Sequence, residues 1–122
     1  MPRPILDETQ IHPAIRDKIG ALDPVLGEVQ SALAAHDVVV VGMKQNPHPK
    51  RAREALTAKG IPFHYLEYGS YLGEWRRRLV LKMWAGWPTF PMVFVKGVLV
   101  GGAADLKALI DSGELDRMLK AP

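Results

Sequence analysis

The alternation of apolar runs and chain breakers predicts an α/β fold, a four-stranded mixed sheet with helices on both faces. Three observations carry this expectation. Val38–Val41, continued by Gly42 and Met43, is apolar and β-branched without a polar face, as suits a central strand covered on both sides. Strand-like runs before residue 70 are separated by segments with three- and four-residue apolar spacing, which calls for parallel right-handed crossovers. Met92–Lys96 and Val98–Gly101 are joined at Gly97, a connection short enough only for an antiparallel hairpin.

Each element follows from its own residues. Ile11, Ile15, Ile19 and Leu22 recur at helical spacing, so a short helix is expected from Pro13 to about Gly20. Asp23-Pro24 opens the next helix with a cap residue and a first-turn proline, and Val25, Leu26, Val29 and Leu33 make its apolar stripe. After the strand at 38–43, Lys44–Pro49 reads as a loop. Lys50–Lys59 then reads as a helix closed by Gly60, with Ala52, Ala55 and Leu56 inward. Ile61–Leu66 is the second strand and Gly69–Gly73 a turn. Glu74–Trp84 is expected as a helix burying Leu72, Trp75, Leu79 and Met83, with Gly86 as its stop. The hairpin follows, and then helical segments at Ala104–Ile110 and Glu114–Lys120.

The chain has 122 residues, the size of one domain, and 48% of them are hydrophobic. Residues 1–24 read as an N-terminal extension and 25–122 as the folded domain. A formal charge of +3 is too small to argue for nucleic acid, and the basic clusters Lys50-Arg51-Arg53 and Arg76-Arg77-Arg78 read first as solvated helix faces. No run reaches 18 apolar residues and Met1-Pro-Arg-Pro4 lacks the apolar core of a secretory signal, so no membrane span and a cytoplasmic location are expected. The sequence contains no cysteine. Disulfides, thiolate nucleophiles and cysteinyl iron–sulfur ligation are therefore beyond this chain acting alone.

In an open α/β sheet, ligands gather at the carboxyl ends of the parallel strands, here the loop 44–49. The helix that follows offers unpaired N–H groups to an anion, although Pro47 and Pro49 each remove one donor. Phe90-Pro91 is a candidate for a cis bond before the hairpin. His48 is the only imidazole of the loop 44–49; with no second ligand near it in sequence it reads as solvent-facing rather than as a metal ligand. Asn46 reads as a cap or loop residue as readily as a binding group.

Trp87-Pro-Thr-Phe-Pro91 followed by Val95-Lys-Gly-Val-Leu-Val-Gly-Gly102 resembles the glutaredoxins of the thioredoxin-like superfamily, closest to their single-cysteine class, over about residues 25–120. The resemblance implies a thioredoxin-like fold with a cis Pro91 and a groove for glutathione. It assigns Lys44 and Arg78 to the glycine carboxylate and the backbone of Thr89, Phe90 and Pro91 to the cysteinyl portion. Gly101, Gly102 and Asp105 fall to the γ-glutamyl end, where Ala104 replaces an aspartate that many members carry. Counting back from Leu56 puts Asn46 where the family has its nucleophilic cysteine, so neither a mixed disulfide nor a [2Fe–2S] cluster is expected.

These readings favour a cysteine-less binding module that needs no cofactor and takes glutathione or a peptide as its ligand. Two others stand beside it. One is an enzyme with non-thiol chemistry at Asn46 and His48; the other is a structural domain for a protein partner or for a second copy of the chain.

Overall fold

Every residue of β1 (Val38–Gly42) is buried, as four successive valines require. The structure, a computed structural model, describes residues 3–18, 24–70 and 73–120. β1 runs parallel to β2 (His64–Glu67), with Val40 beside Tyr65. On its other side it is antiparallel to β3 (Met92–Val95), with Val40 beside Val93. β4 (Val98–Gly101) lies outside β3, so the sheet order is β2-β1-β3-β4.

Successive side chains of a strand point to opposite faces, and β1 accordingly feeds two cores. Val39 and Val41 join Met92 and Phe94 beneath Val25 and Val29 of α1 (Pro24–Ala35) and Val80 and Leu81 of α3 (Trp75–Ala85). Val38 and Val40 join Val93 and Val95 beneath Ala52 and Leu56 of α2 (Pro47–Ala58), Leu106 of α4 (Ala103–Asp111) and Leu115 of α5 (Glu114–Lys120). Each fully buried valine or leucine stabilises the fold by about 1.5–3 kcal/mol relative to exposure. At the hairpin Lys96 and Gly97 both have positive φ, 49° and 78°, as a two-residue reversal matched to strand twist requires. The Lys96 N–H donates to Asp37 O at 2.6 Å, tying that turn to the start of β1.

Several boundaries differ from the sequence expectation. α2 begins at Pro47, three residues earlier than expected, because Asn46 caps it and proline at the first helical position has no N–H to waste. β2 begins at His64 rather than Ile61, since the Ile61 N–H turns back to Leu56 O at 3.0 Å and Pro62 has no N–H for a ladder. The helix expected from Pro13 is a 3-10 segment, Pro13–Lys18; Ile19, Gly20, Leu22 and the cap Asp23 lie outside the described residues. Arg53, expected in the solvated face, is half-buried with its guanidinium 4.1 Å from the centre of the Tyr65 ring.

The largest correction concerns α3. Trp75, Leu79 and Met83, expected inward, are 64%, 46% and 58% exposed; the buried face is Arg78, Val80 and Leu81. Leu72 lies outside the described residues. The helix carries apolar residues on two faces, and spacing alone does not choose between them. At the far end of α3 the Arg3 guanidinium donates to Trp84 O and Ala85 O at 3.0 and 2.9 Å, a cation at the negative end of the helix dipole.

Gly42 lets the layers close where β1 meets α2. A Cβ built there would lie 2.7 Å from Pro49 Cβ and 2.8 Å from Tyr65 Oη. Gly42→Ala is expected to destabilise the fold by about 1–3 kcal/mol through this overpacking, read from urea unfolding.

Candidate functional site

The strand register brings three segments to one end of the sheet. Val41 beside Met92 sets the loop after β1 next to Pro91, and Val93 opposite Gly101 sets the end of β4 there too. The pairing continues past the strands: Tyr68 N–H donates to Gly42 O at 2.9 Å and Lys44 N–H to Gly69 O at 2.7 Å. Lys44 is exposed, and Gln45 turns the chain with φ 65°.

Asn46 then returns to an extended conformation, and its Oδ1 accepts the His48 N–H at 2.9 Å. The amide is thus committed to capping α2, a contribution of about 1 kcal/mol. His48 lies exposed in the first turn of that helix. Among the described residues no group of three or more His, Cys, Asp or Glu could hold a metal ion.

Thr89 is exposed, Phe90 and Pro91 are buried, and the peptide bond between the latter two is cis. The Lys82 ammonium lies 5.7 Å from the centre of the Phe90 ring. Beyond β4, Gly101 has φ 113°, and a Cβ there would come within 2.5 Å of Asp105 Oδ2. This position needs glycine on both counts. Asp105 Oδ2 accepts the Gly102 N–H at 2.9 Å, so its carboxylate caps the positive end of α4. Ala104 beside it is exposed.

Gly102 is where these segments meet. A Cβ there would meet Pro91 O at 3.7 Å and both Asp105 Oδ2 and Trp87 Nε1 at 3.9 Å, so three polar atoms converge on this backbone position. The Trp87 Nε1 atom is buried and has no hydrogen-bond partner. Leaving such a donor unpaired costs about 1–3 kcal/mol. Its signal in the sequence is the indole N–H, which needs an acceptor wherever the ring is covered.

Arg78 reaches the same end of the sheet but turns inward, 7% exposed. Its Nη1 donates to Tyr68 O at 3.0 Å and also to Gly73 O, binding the exit of β2 to α3. Tyr68 Oη in turn lies 3.3 Å from Glu28 Oε2, and burial followed by the Glu28 charge pushes the phenol up to about 12. Tyr65, donating to Glu67 Oε1 at 3.1 Å, is likewise raised to about 12 by burial and then Glu67.

The glutaredoxin family model matches residues 38–100, from the first residue of β1 into β4. The chain belongs to the glutaredoxin family. A glutaredoxin-like protein of Dictyostelium discoideum is 45% identical over 96 residues, 79% of this chain and 78% of that protein. A probable monothiol glutaredoxin of Legionella pneumophila is 36% identical over 78 residues, 64% of this chain and 84% of that one. In fold the chain is similar to buckwheat glutaredoxin in its glutathione complex, with a TM-score of 0.67 at 22% identity over 78% of this chain and 86% of that one.

Within this family the chain is a cysteine-less member, and classical thiol–disulfide oxidoreductase activity is precluded, since attack on a disulfide requires a thiolate. A [2Fe–2S] cluster does not fit either: the Asn46 amide, bound to its own helix, is no replacement for a thiolate ligand.

Two outcomes test this geometry. Arg78→Met leaves the carbonyls of Tyr68 and Gly73 without their donor and is expected to cost about 1–3 kcal/mol in urea unfolding. The tyrosines predict alkaline sensitivity. The folded state holds both phenolic protons more tightly than the unfolded chain, whose tyrosines titrate near 10.0. Stability is therefore full below pH 10 and falls as pH rises toward about 12. Unfolding curves across that window should flatten in the variant carrying Tyr65→Phe and Tyr68→Phe.

Proposed function

We propose that this chain is a glutaredoxin-family binding module that holds reduced glutathione, or a peptide with the same end groups, without thiol redox chemistry. The observation that carries the reading is the backbone at Gly102, around which Pro91 O, Asp105 Oδ2 and the unpaired Trp87 Nε1 donor converge at the end of the Thr89–Pro91 loop. The buckwheat relative in its glutathione complex supports the choice of ligand.

Lys44 serves the glycine carboxylate as an exposed cation, and the backbone of Thr89 to Pro91 takes the peptide portion. Gly101, Gly102 and Asp105 face the γ-glutamyl end, with the Asp105 carboxylate shared between its helix cap and the ligand ammonium. Arg78 assists through position: its guanidinium holds the carbonyls of Tyr68 and Gly73. Residues 25–122 form the binding domain in this reading, with 1–24 as an extension. A cytoplasmic setting, where glutathione sets the redox poise, suits such a ligand.

Isothermal titration of the full chain with reduced glutathione is expected to show weak binding, because no sulfur bond anchors the ligand. Lys44→Ala should weaken it about two- to fivefold, the size of an exposed ion pair. Absence of heat at millimolar glutathione removes the glutathione reading. Asn46→Cys supplies a thiolate to attack oxidised glutathione, giving a protein–glutathione mixed disulfide and releasing one reduced glutathione. Mass spectrometry should find that adduct forming faster than with Gln45→Cys; equal rates would show that the groove does not orient the ligand at residue 46.

A further inference from the structure

We propose that the N-terminal segment is a strap that positions the Trp87–Pro91 loop, with Arg3 as the positioning residue. This role rests on the glutathione-binding function proposed above and deepens it. A helix leaves its last four carbonyls without partners of its own. In α3 the Lys82 O takes the Gly86 N–H at 2.8 Å, and Arg3, from the start of the chain, takes two of the others. Its Nη1 donates to Ala85 O at 2.9 Å and its Nη2 to Trp84 O at 3.0 Å, so both arms of one guanidinium close the negative end of the helix.

The glycine that ends α3 makes room for this contact. Gly86 has φ 73°, and a Cβ built on it would overlap Arg3 Nη1 and lie 2.7 Å from Cζ. The guanidinium thus fills the place of a side chain at residue 86. Apolar packing does little to hold the strap, because Ile5 and Leu6 are 72% and 63% exposed. Its hold on the body of the domain at this point is the pair of hydrogen bonds from Arg3.

From this seat the chain runs through Gly86 directly into Trp87, and Trp87 carries the dependence to the site. Its ring packs against the core, but Nε1 has no hydrogen-bond partner, so no bond from the indole fixes where it stands against Gly102. Its place therefore follows the last turn of α3, which packs on the same core through Trp84 and Ala85. Without the Arg3 donors two carbonyls of that turn lose their partner, the turn frays, and the Trp87–Pro91 loop loses its fixed start. Arg3 makes these bonds outside the convergence at Gly102, so its effect reaches a ligand through the loop.

The test compares the full chain with Arg3→Met, which keeps the stem and removes the donors, and with Arg3→Lys, whose ammonium can donate to both carbonyls. In NMR spectra, with the Trp87 signal assigned from Trp87→Phe, Arg3→Met is expected to move the Trp87 indole N–H and leave that of Trp75 in place. The Gly86 N–H should exchange with deuterium about tenfold faster, while the Val40 N–H in β1 keeps the parent's rate. The dissociation constant for reduced glutathione should rise about three- to tenfold, because a loosened segment must be ordered on binding, and Arg3→Lys should recover part of the loss. The proposal is overturned if Arg3→Met leaves the Trp87 resonance or the glutathione affinity at the parent's value. It is equally overturned if Val40 exchange accelerates as much as that of Gly86, which would mark a general loss of stability. Should the parent itself fail to bind glutathione, the ligand reading falls, and the Trp87 resonance and Gly86 exchange alone decide whether Arg3 positions the loop.

Discussion

Four consecutive valines leave β1 no face that water can hydrate, and the rest of the architecture answers that constraint. One layer, α1 and α3, covers Val39 and Val41; the other, α2, α4 and α5, covers Val38 and Val40. A strand buried on both faces also needs both edges paired, which β2 and β3 supply from opposite sides. With β2 parallel and β3 antiparallel to it, the exits of β1, β2 and β4 and the entrance of β3 all fall at one end of the sheet. The candidate groove is a consequence of how the central strand is covered.

What this chain retains of the glutaredoxin family lies mainly in its backbone. Gly101 and Gly102 permit close approach, Pro91 turns its carbonyl toward them, and Asp105 organises the start of α4. None of these features depends on a thiol. The loop after β1 is a helix start: Asn46 caps, Pro47 occupies the first helical position, and Pro49 packs on Gly42. The amide does for α2 what a side-chain oxygen does at any capped helix.

Arg78 links the exit of β2 to the orientation of α3. A guanidinium is tolerated in the interior only with partners, and the carbonyls of Tyr68 and Gly73 supply them. With that face turned inward, Trp75, Leu79 and Met83 must face out. The exposed stripe is therefore the other side of a polar anchor that also ties the exit of β2 to α3.

Sequence alone determined the order of elements, the two-sided burial of β1, the tight hairpin at Lys96-Gly97 and the absence of thiol chemistry. These are local matters: a period of apolar residues, a glycine with positive φ, a missing atom type. The Trp-Pro-Thr-Phe-Pro and Gly-Gly segments were also legible, since both are contiguous. Tertiary structure alone decided the rest. Which apolar face of α3 is buried depended on carbonyls ten and five residues before Arg78. That Trp87 Nε1 meets Gly102 depended on two segments distant in sequence. Periodicity records that a helix has an apolar side; only the partners brought by the rest of the chain decide which side the core receives.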